Sequence, residues 1–491
     1  MKFKRFTLIT MLILAIILTG CTSKDKNIDK KPKTIEDLMN NLDNISTKAT
    51  NEKVPNDGQK TKEDRSYALD RWKKSLAKEE KSEEKKRALG EQRTKAEEKI
   101  EEIKKQKKKK LAKEEKKVAD KSSKKQIEKK EKEDEGEYSK VRVKFFGDTM
   151  AHYDQVQYAY NYGGGVYDFS NQFTYISDYV KDSDLSITNY ETTTNPNMAY
   201  AGYPAFNTPG EYLKAIKNAG FNVVTTANNH TLDTDEEGVF TTIDAIKEAG
   251  LDFVGTHKTD DEKILYKEIN GIKIAILSYT YGCNGKVDLL TPREEVGSVN
   301  YLHDDLIEKD IKEAKKNGAD FVIVYPHWGI EYETYPVKEV VEKAHKMVDW
   351  GADLVIGNHP HVVQPVEKYT TKSGRDGLIA YALGNFVSMQ SFESFGDARV
   401  EQSLSIELNL EKDKKNGNKK IGEIKYHPLW IASNYDEYGV SVKTYKCEDF
   451  LEGGSKYKEV NENQRARIKQ AYDMTMETVN LKVEQWITYR V

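Results

Sequence analysis

Four times along this chain a helix-like stretch runs into a glycine and emerges as an apolar strand. The junctions read Lys-Asn-Ala-Gly220-Phe-Asn-Val-Val, Lys-Glu-Ala-Gly250-Leu-Asp-Phe-Val, Lys-Asn-Gly318-Ala-Asp-Phe-Val-Ile and Asp-Trp-Gly351-Ala-Asp-Leu-Val-Ile. Glycine closes a helix in that place because it adopts the left-handed backbone without a Cβ penalty. The Val, Ile and Phe that follow favour an extended strand. Helices and strands alternating in this way bury a largely covered sheet, so the expected fold class is α/β. The repetition is no sign of internal duplication, because helix-to-strand junctions converge on this chemistry.

The other segments fit that frame. Val141-Arg-Val-Lys-Phe-Phe146 alternates and then turns fully apolar, as a first strand does. A tyrosine-rich loop containing Gly163-Gly-Gly165 follows, then a helix from about 171 to 180. Strands are expected at 184–188, 221–225, 321–325 and 353–356, with a strand and turn at 378–386. Helices are expected at 210–219 and 336–350, and a terminal helix within 459–485 covers one edge. Apolar runs at 264–269 and 272–279 flank Asn270-Gly271, a strong hairpin signal. The runs 403–410 and 423–431 read as partners around a charged tip.

Particular polar residues follow these strands. Asp148 follows the first strand, Glu191 the second, and Asn229 with His230 the third. His327 follows 321–325, while His359 and His361 follow 353–356 with Pro360 between them. In an open α/β sheet, ligands bind in the crevice outside the carboxyl ends of the strands. His257, His303 and His345 fall in loop or helix contexts and read as ordinary. Carboxylate, amide oxygen and imidazole together suit Mn, Fe(II), Zn or Mg better than soft ions. Two carboxylates, an amide and three imidazoles suffice for a pair of divalent metals, which would polarise a phosphoryl oxygen and stabilise the leaving oxygen. His230 then stands beside the leaving group as general acid. Asp233 either orients His230 or begins the next helix, and Asn385 either lines the cleft or caps a turn. Tyr279, Tyr281 and the tyrosines of 153–167 read as wall and core.

Composition divides the chain. Residues 1–23 carry 3 basic and no acidic groups, and residues 24–137 carry 36 and 28. Subtracting both from the totals of 78 and 81 leaves 39 basic and 53 acidic groups for residues 138–491, a net −14. So acidic a domain does not attract nucleic acid. An anionic substrate there needs a local cation, for which a metal is the obvious source. Lys2, Lys4 and Arg5 precede an apolar stretch from Phe6 to Leu18, too short to span a bilayer comfortably. Residues 24–60 read as linker, and about 62–133 as a Lys/Glu-rich stalk, helical through i,i+4 pairs or disordered. If helical, some 70 residues would reach roughly 100 Å at 1.5 Å per residue. No Cys-x-x-Cys occurs, and whether Cys283 and Cys447 pair is left open.

Two resemblances extend this reading. Leu18-Thr19-Gly20-Cys21 resembles the lipobox of bacterial lipoproteins, which implies a signal peptide over 1–20, lipidation at Cys21 and a location on the extracytoplasmic face of the cell membrane. Gly-Asp at 148, Asn-x-Glu at 191, Asn-Asn-His at 230, His-Trp-Gly from His327, His-Pro-His-Val-Val-Gln-Pro from His359 and Gly-Asn-Phe at 385 together resemble the CapA-type family of poly-γ-glutamate capsule synthesis proteins. That family is similar in fold to calcineurin-like metallophosphoesterases, which implies a four-layer αββα sandwich over about 138–435. Residues 21–137 would be the stalk, and 436–491 an extension packing on the domain. The likeness makes Asp148, Glu191, Asn229, His327, His359 and His361 metal ligands, and His230 the catalytic imidazole. Two positions depart from the broader phosphoesterase pattern. Met150 replaces a histidine, a place that His152 either fills or does not, and Glu191 replaces a bridging aspartate. The implied roles are a metal-dependent hydrolase acting on a phosphoester or on the polymer's amide bonds, a non-catalytic factor holding the acidic polymer for membrane synthase subunits, or an extracytoplasmic phosphodiesterase unrelated to capsule.

Overall fold

The computed structural model describes residues 138–284 and 296–482. The signal segment, Cys21 and the stalk all lie outside the described residues. One sheet is built on β1 (Tyr138–Thr149), β2 (Leu185–Tyr190), β3 (Val223–Thr225) and β4 (Asp252–Val254), which are parallel neighbours in that order. The second takes the order β5-β6-β7-β8-β10-β9, from β5 (Leu265–Ile269), β6 (Ile272–Thr280), β7 (Phe321–His327), β8 (Leu354–Ile356), β9 (Val366–Thr370) and β10 (Asp376–Ala380). β11 (Asn385–Val387) crosses back to the first sheet and pairs with the end of β1. The first sheet then continues on the far side of β1 through antiparallel β12 (Gln402–Asp413), β13 (Lys419–Asp436) and β14 (Gly439–Lys446).

Alternation along each strand sorts the side chains into separate cores. Val141, Val143 and Phe145 of β1 pack with Ile272, Ile274 and Ile276 of β6 and with Ile323 of β7, between the two sheets. Phe146 faces the other way, toward α1 (Tyr153–Tyr162), α2 (Gly210–Ala219) and α3 (Asp235–Glu248), where it meets Val156, Leu213 and Ile243. On the second sheet Val322, Val324 and Val355 face α4 (Asp304–Lys316) and α5 (Lys338–Trp350), meeting Ile311, Ala344 and Val348. The layers therefore run helix, sheet, sheet, helix, the four-layer αββα sandwich that the motifs implied. Ile323 is fully buried, and its truncation to Ala would cost about 2–5 kcal/mol by the usual cavity scale.

Local chemistry explains most boundaries. Gly220, Gly250, Gly318 and Gly351 have φ of 113°, 75°, 82° and 129°, the left-handed backbone expected at the four junctions. Asn270 and Gly271, at φ 53° and 74°, form the turn between β5 and β6.

Three expectations need correction. The tyrosine-rich segment is not a loop but the helix α1, because Val156 and Ala159 share a face that buries against the core and Gln155 Oε1 accepts from His152 N at 2.9 Å. The helix expected at 171–180 breaks into a 3₁₀ turn at Ser170–Phe173 and a short helix at Ser177–Lys181. There Thr174 and Ser177 hydroxyls donate to the carbonyls of Asn171 and Phe173, competing with helical bonding. The strand and turn expected at 378–386 is two strands in different sheets, β10 and β11. The terminal helix is α6 (Glu462–Val479), opened by a capping box between Asn461 and Gln464. Cys283 and Cys447 lie in separate buried cores, and no disulfide joins them. Among the described residues no helix is long and apolar enough to cross a membrane.

Candidate metal centre

The carboxyl ends of parallel strands from both sheets meet at one rim, and the site is assembled there. β1 delivers Asp148, β2 leads directly into Glu191, β7 ends in His327, and the loop after β8 carries His359 and His361. Gly357 starts that loop in the only residue that fits, since a Cβ would run into the Tyr381 carbonyl oxygen. His359 and His361 both hold positive φ, 100° and 57°. Left-handed backbone at a residue with a Cβ costs on the order of 1–3 kcal/mol and persists where the surroundings over-determine it.

All seven expected side chains that follow strands are buried, and five of them, Asp148, Glu191, His327, His359 and His361, form one cluster of ligand-type atoms to which Asn229 is tied. Ligand-type atoms of Asp148, Glu191 and His327 lie within 4.8 Å of one another, and so do those of Glu191, His359 and His361. Glu191 belongs to both groups. Its Oε1 is 3.6 Å from His327 Nε2 and 3.8 Å from His361 Nε2. Asp148 Oδ2 is 3.4 Å from His361 Nδ1 and accepts the backbone N–H of His359 at 3.2 Å. Asn229 Oδ1 lies 2.9 Å from His327 Nε2.

The electrostatics of this cluster call for a cation. Burial first, and then the neighbouring Asp148, drive the Glu191 pKa well above the ordinary carboxylate value. Burial and mutual repulsion hold His327 well below the ordinary imidazole value and His359 down to about 3, so both rings are neutral, the form that ligates metal. Glu191 Oε1 and His359 Nδ1 are buried without a hydrogen-bond partner. An orphaned carboxylate oxygen and an orphaned ring nitrogen facing one centre fit a divalent ion, which would satisfy both.

A second ring of residues orients the first. Asp233 Oδ2 is 2.6 Å from His230 Nδ1, so the carboxylate accepts the Nδ1–H hydrogen bond and leaves Nε2 as the working nitrogen. Of the two roles open to Asp233, orientation is the one the structure shows. Asn385 Oδ1 lies 3.0 Å from His361 Nδ1, with its amide nitrogen held by Gln390 and the Val400 carbonyl. It therefore reaches the cleft through His361. His152 caps α1 and lies 3.4 Å from Ser388 Oγ. Burial, with His361 and His230 nearby, lowers its pKa to about 4. It borders the centre without joining either ligand group, and Met150 is buried with its carbonyl accepting from Tyr212.

Three residues of the site were not singled out from the sequence. Asn189 donates to Asp148 Oδ1 at 2.8 Å and lies 3.3 Å from His327 Nδ1, locking a first-sheet ligand to a second-sheet one. Its place within Asn-x-Glu was the available signal. Asn284 contacts Asn229 at 3.0 Å and both ring nitrogens of His230 at 3.3 and 3.4 Å, an arrangement with no local signature. Tyr281, read as wall, stands half-exposed with its ring centre 4.8 Å from that of His359. Tyr332 sits similarly beside His361 at 6.0 Å.

Residues 142–390 match the family model of the bacterial capsule synthesis protein PGA_cap. The chain belongs to that family. Among similar PGA_cap relatives, the capsule biosynthesis protein CapA of Bacillus anthracis is 34% identical over 276 residues, covering 54% of this chain and 64% of that one. The PGA biosynthesis protein CapA of Bacillus subtilis is 34% identical over 247 residues, covering 49% and 61%. The chain thus spans less than two thirds of either relative's length. The calcineurin-like phosphoesterase YfkN of Bacillus subtilis superposes over 69% of this chain and 98% of its own at 16% identity and a TM-score of 0.37, too loose a likeness to add to the layer order read from the cores.

Proposed function

We propose that this PGA_cap protein is a lipid-anchored, extracytoplasmic component of poly-γ-glutamate capsule synthesis or export, with a dinuclear hydrolase-like metal centre. The observation that carries the metal reading is Glu191, shared by two ligand groups and left with Oε1 unpartnered. Asp148 and His327, with Asn229 beside them, and His359 and His361 would be the residues that hold divalent ions, with Glu191 common to both sets. Divalent ions there would supply Lewis acidity toward a phosphoryl or amide oxygen. The chain's own residues supply the rest. His230, held by Asp233, gives a proton to the leaving group from Nε2. Tyr281 and Tyr332 wall the cleft, and Asn385 keeps His361 turned inward. The capsule assignment rests on family membership and on the likeness to the two CapA proteins, and the anchor on the resemblance of Leu18–Cys21 to a lipobox.

Elemental analysis of full-length protein, purified without tag or chelator, tests the centre. Two equivalents of Mn, Fe, Zn or Mg are expected, falling to one or none in Glu191→Gln. A wild-type protein that holds no metal and takes up none on dialysis would overturn the reading. Met150, in place of a phosphoesterase histidine, favours a second reading in which the loaded cleft holds polymer without cleaving it. Retained capsule in His230→Ala cells, with capsule lost on deletion, selects that reading.

A further inference from the structure

At the opposite end of the sandwich from the metal centre, beside the amino ends of β7, β8 and β10, the sheets part around a cavity of about 610 Å³. Its floor is apolar. Phe321 and Leu378 of the second sheet face Ile421 and Ile424 of β13. Its walls are cationic, with Lys315, Lys368, Arg375, Lys419 and Lys420 set against Asp353 and Asp376 and with Glu411 paired to Lys420, and five positive groups less three negative leave a surplus of two. In a domain that is net acidic this is a local reversal of sign, and a cleft lined by one sign of charge concentrates the opposite one.

The internal pairing does not exhaust these cations. Lys315 Nζ is 2.7 Å from Asp353 Oδ2 and Lys368 Nζ is 2.8 Å from Asp376 Oδ2. Each ammonium has three donors. Lys419 donates to the Asp320 carbonyl at 2.8 Å, and Lys420 lies 3.2 Å from Glu411 on the outer wall. Desolvation and then the nearby Lys315 keep the Lys419 ammonium below the ordinary lysine value, as crowded positive charge does. Arg375 also donates to the Ala352 and Val348 carbonyls, which fixes the end of α5 against the wall.

An apolar floor beneath spaced cations suits a particular ligand chemistry. A compact inorganic anion would use the rim and leave the floor wet, whereas a chain alternating methylenes with carboxylates would use both. We propose that this cavity binds a flexible oligomer bearing carboxylates on methylene spacers, holding it at the end of the molecule remote from the metal centre. The capsule reading adds only the identity of the chain, since a γ-glutamyl repeat has a carboxylate and a short methylene spacer.

Fluorescence anisotropy of a labelled γ-glutamyl oligomer with full-length protein tests this. The probe variant is the double substitution Lys368→Glu with Lys420→Glu, at two largely exposed side chains. Binding is expected to weaken on the order of tenfold or more in the double variant and to be salt-sensitive in wild type. His359→Ala is expected to keep the component of binding that the double variant loses, whatever it loses at the metal centre. Lys419→Gln should give a smaller loss in the same direction, and it serves if the double variant fails to fold. Equal affinity in wild type and variants overturns the proposal, as does loss in His359→Ala alone, which would place the oligomer at the metal centre. Binding of inorganic tripolyphosphate or anionic vesicles with no oligomer binding overturns it too. Metal content is read separately, so failure of the centre and failure of the cavity are distinguishable.

Discussion

Asn385 Oδ1 lies 3.0 Å from Nδ1 of His361, while the Asn385 amide donates to Gln390 Oε1 at 3.0 Å and to the Val400 carbonyl at 3.0 Å. The amide cannot flip without losing those acceptors, so its oxygen is fixed toward the ring. His361 is thereby held with Nδ1 protonated and Nε2 turned to Glu191. Partners of this kind are worth roughly 10–100-fold in metal affinity. Asn385→Ala is expected to weaken one metal equivalent by that factor, measured by titration against a competing chelator. Unchanged affinity would sink the orienting role.

Asp233 and His230 make a prediction about turnover. Asp233→Asn reverses the tautomer preference at Nδ1, and general acid catalysis is worth about 10²–10⁴-fold. The variant is expected to lose most of any phosphodiester or γ-glutamyl hydrolysis while retaining its metals. Loss of metal together with activity would instead mark Asp233 as structural, which its 2.6 Å acceptance of the Phe206 amide makes the competing outcome to watch.

Addition of metal should stabilise the fold. The centre ties both sheets together, so a cation that binds only the folded chain raises stability by mass action, about 2.7 kcal/mol at a hundredfold excess over Kd. Thermal unfolding of chelator-treated protein should shift upward on adding Mn or Zn. His359→Ala should show a much smaller shift.

Lys144 is buried between Glu407, 3.4 Å away, and the ring of Tyr179, 3.8 Å from its centre. Burial lowers its pKa despite Glu407 and Asp182. Removing one partner of such a pair costs about 3–5 kcal/mol, whereas an apolar replacement of the charge is often neutral. Glu407→Gln should therefore lower the denaturant midpoint more than Lys144→Met does. The reverse order would rule out an uncompensated lysine as the cause.

A pH dependence resides between α4 and α5. Partial burial alone would raise the Asp304 pKa, but hydrogen bonds and charge from Lys343 and Lys346 outweigh it, so the folded value lies below the usual carboxylate one. A depressed carboxylate contributes stability above its unfolded pKa of about 3.9, and that contribution is lost as pH falls through the folded value. Asp304→Asn should be less stable than wild type at neutral pH, and the gap in urea midpoint should close toward pH 3 or below (a rough bound from the same reference value).

The chain's own order of residues settled several things without tertiary help. Gly220, Gly250, Gly318 and Gly351 end helices because of what a missing Cβ permits, and Asn270-Gly271 turns for the same local reason. Asp148, Glu191, His327, His359 and His361 were legible as a set because strand ends of one polarity share a rim. Other features depended on pairing between distant strands. The split into two sheets, the placing of β10 between β8 and β9, and the crossing of β11 to β1 follow from long-range hydrogen bonding that no local pattern encodes. Hence Asn189 and Asn284 could not be read as partners of His327 and His230, and Asp233 and Asn385 kept two readings each. α1 was missed because its helical face is defined by the core it meets rather than by its tyrosines. Residue types and their spacing determined which groups arrive at the rim. Only the packing of one sheet on the other decided that Glu191 stands between two sets of them.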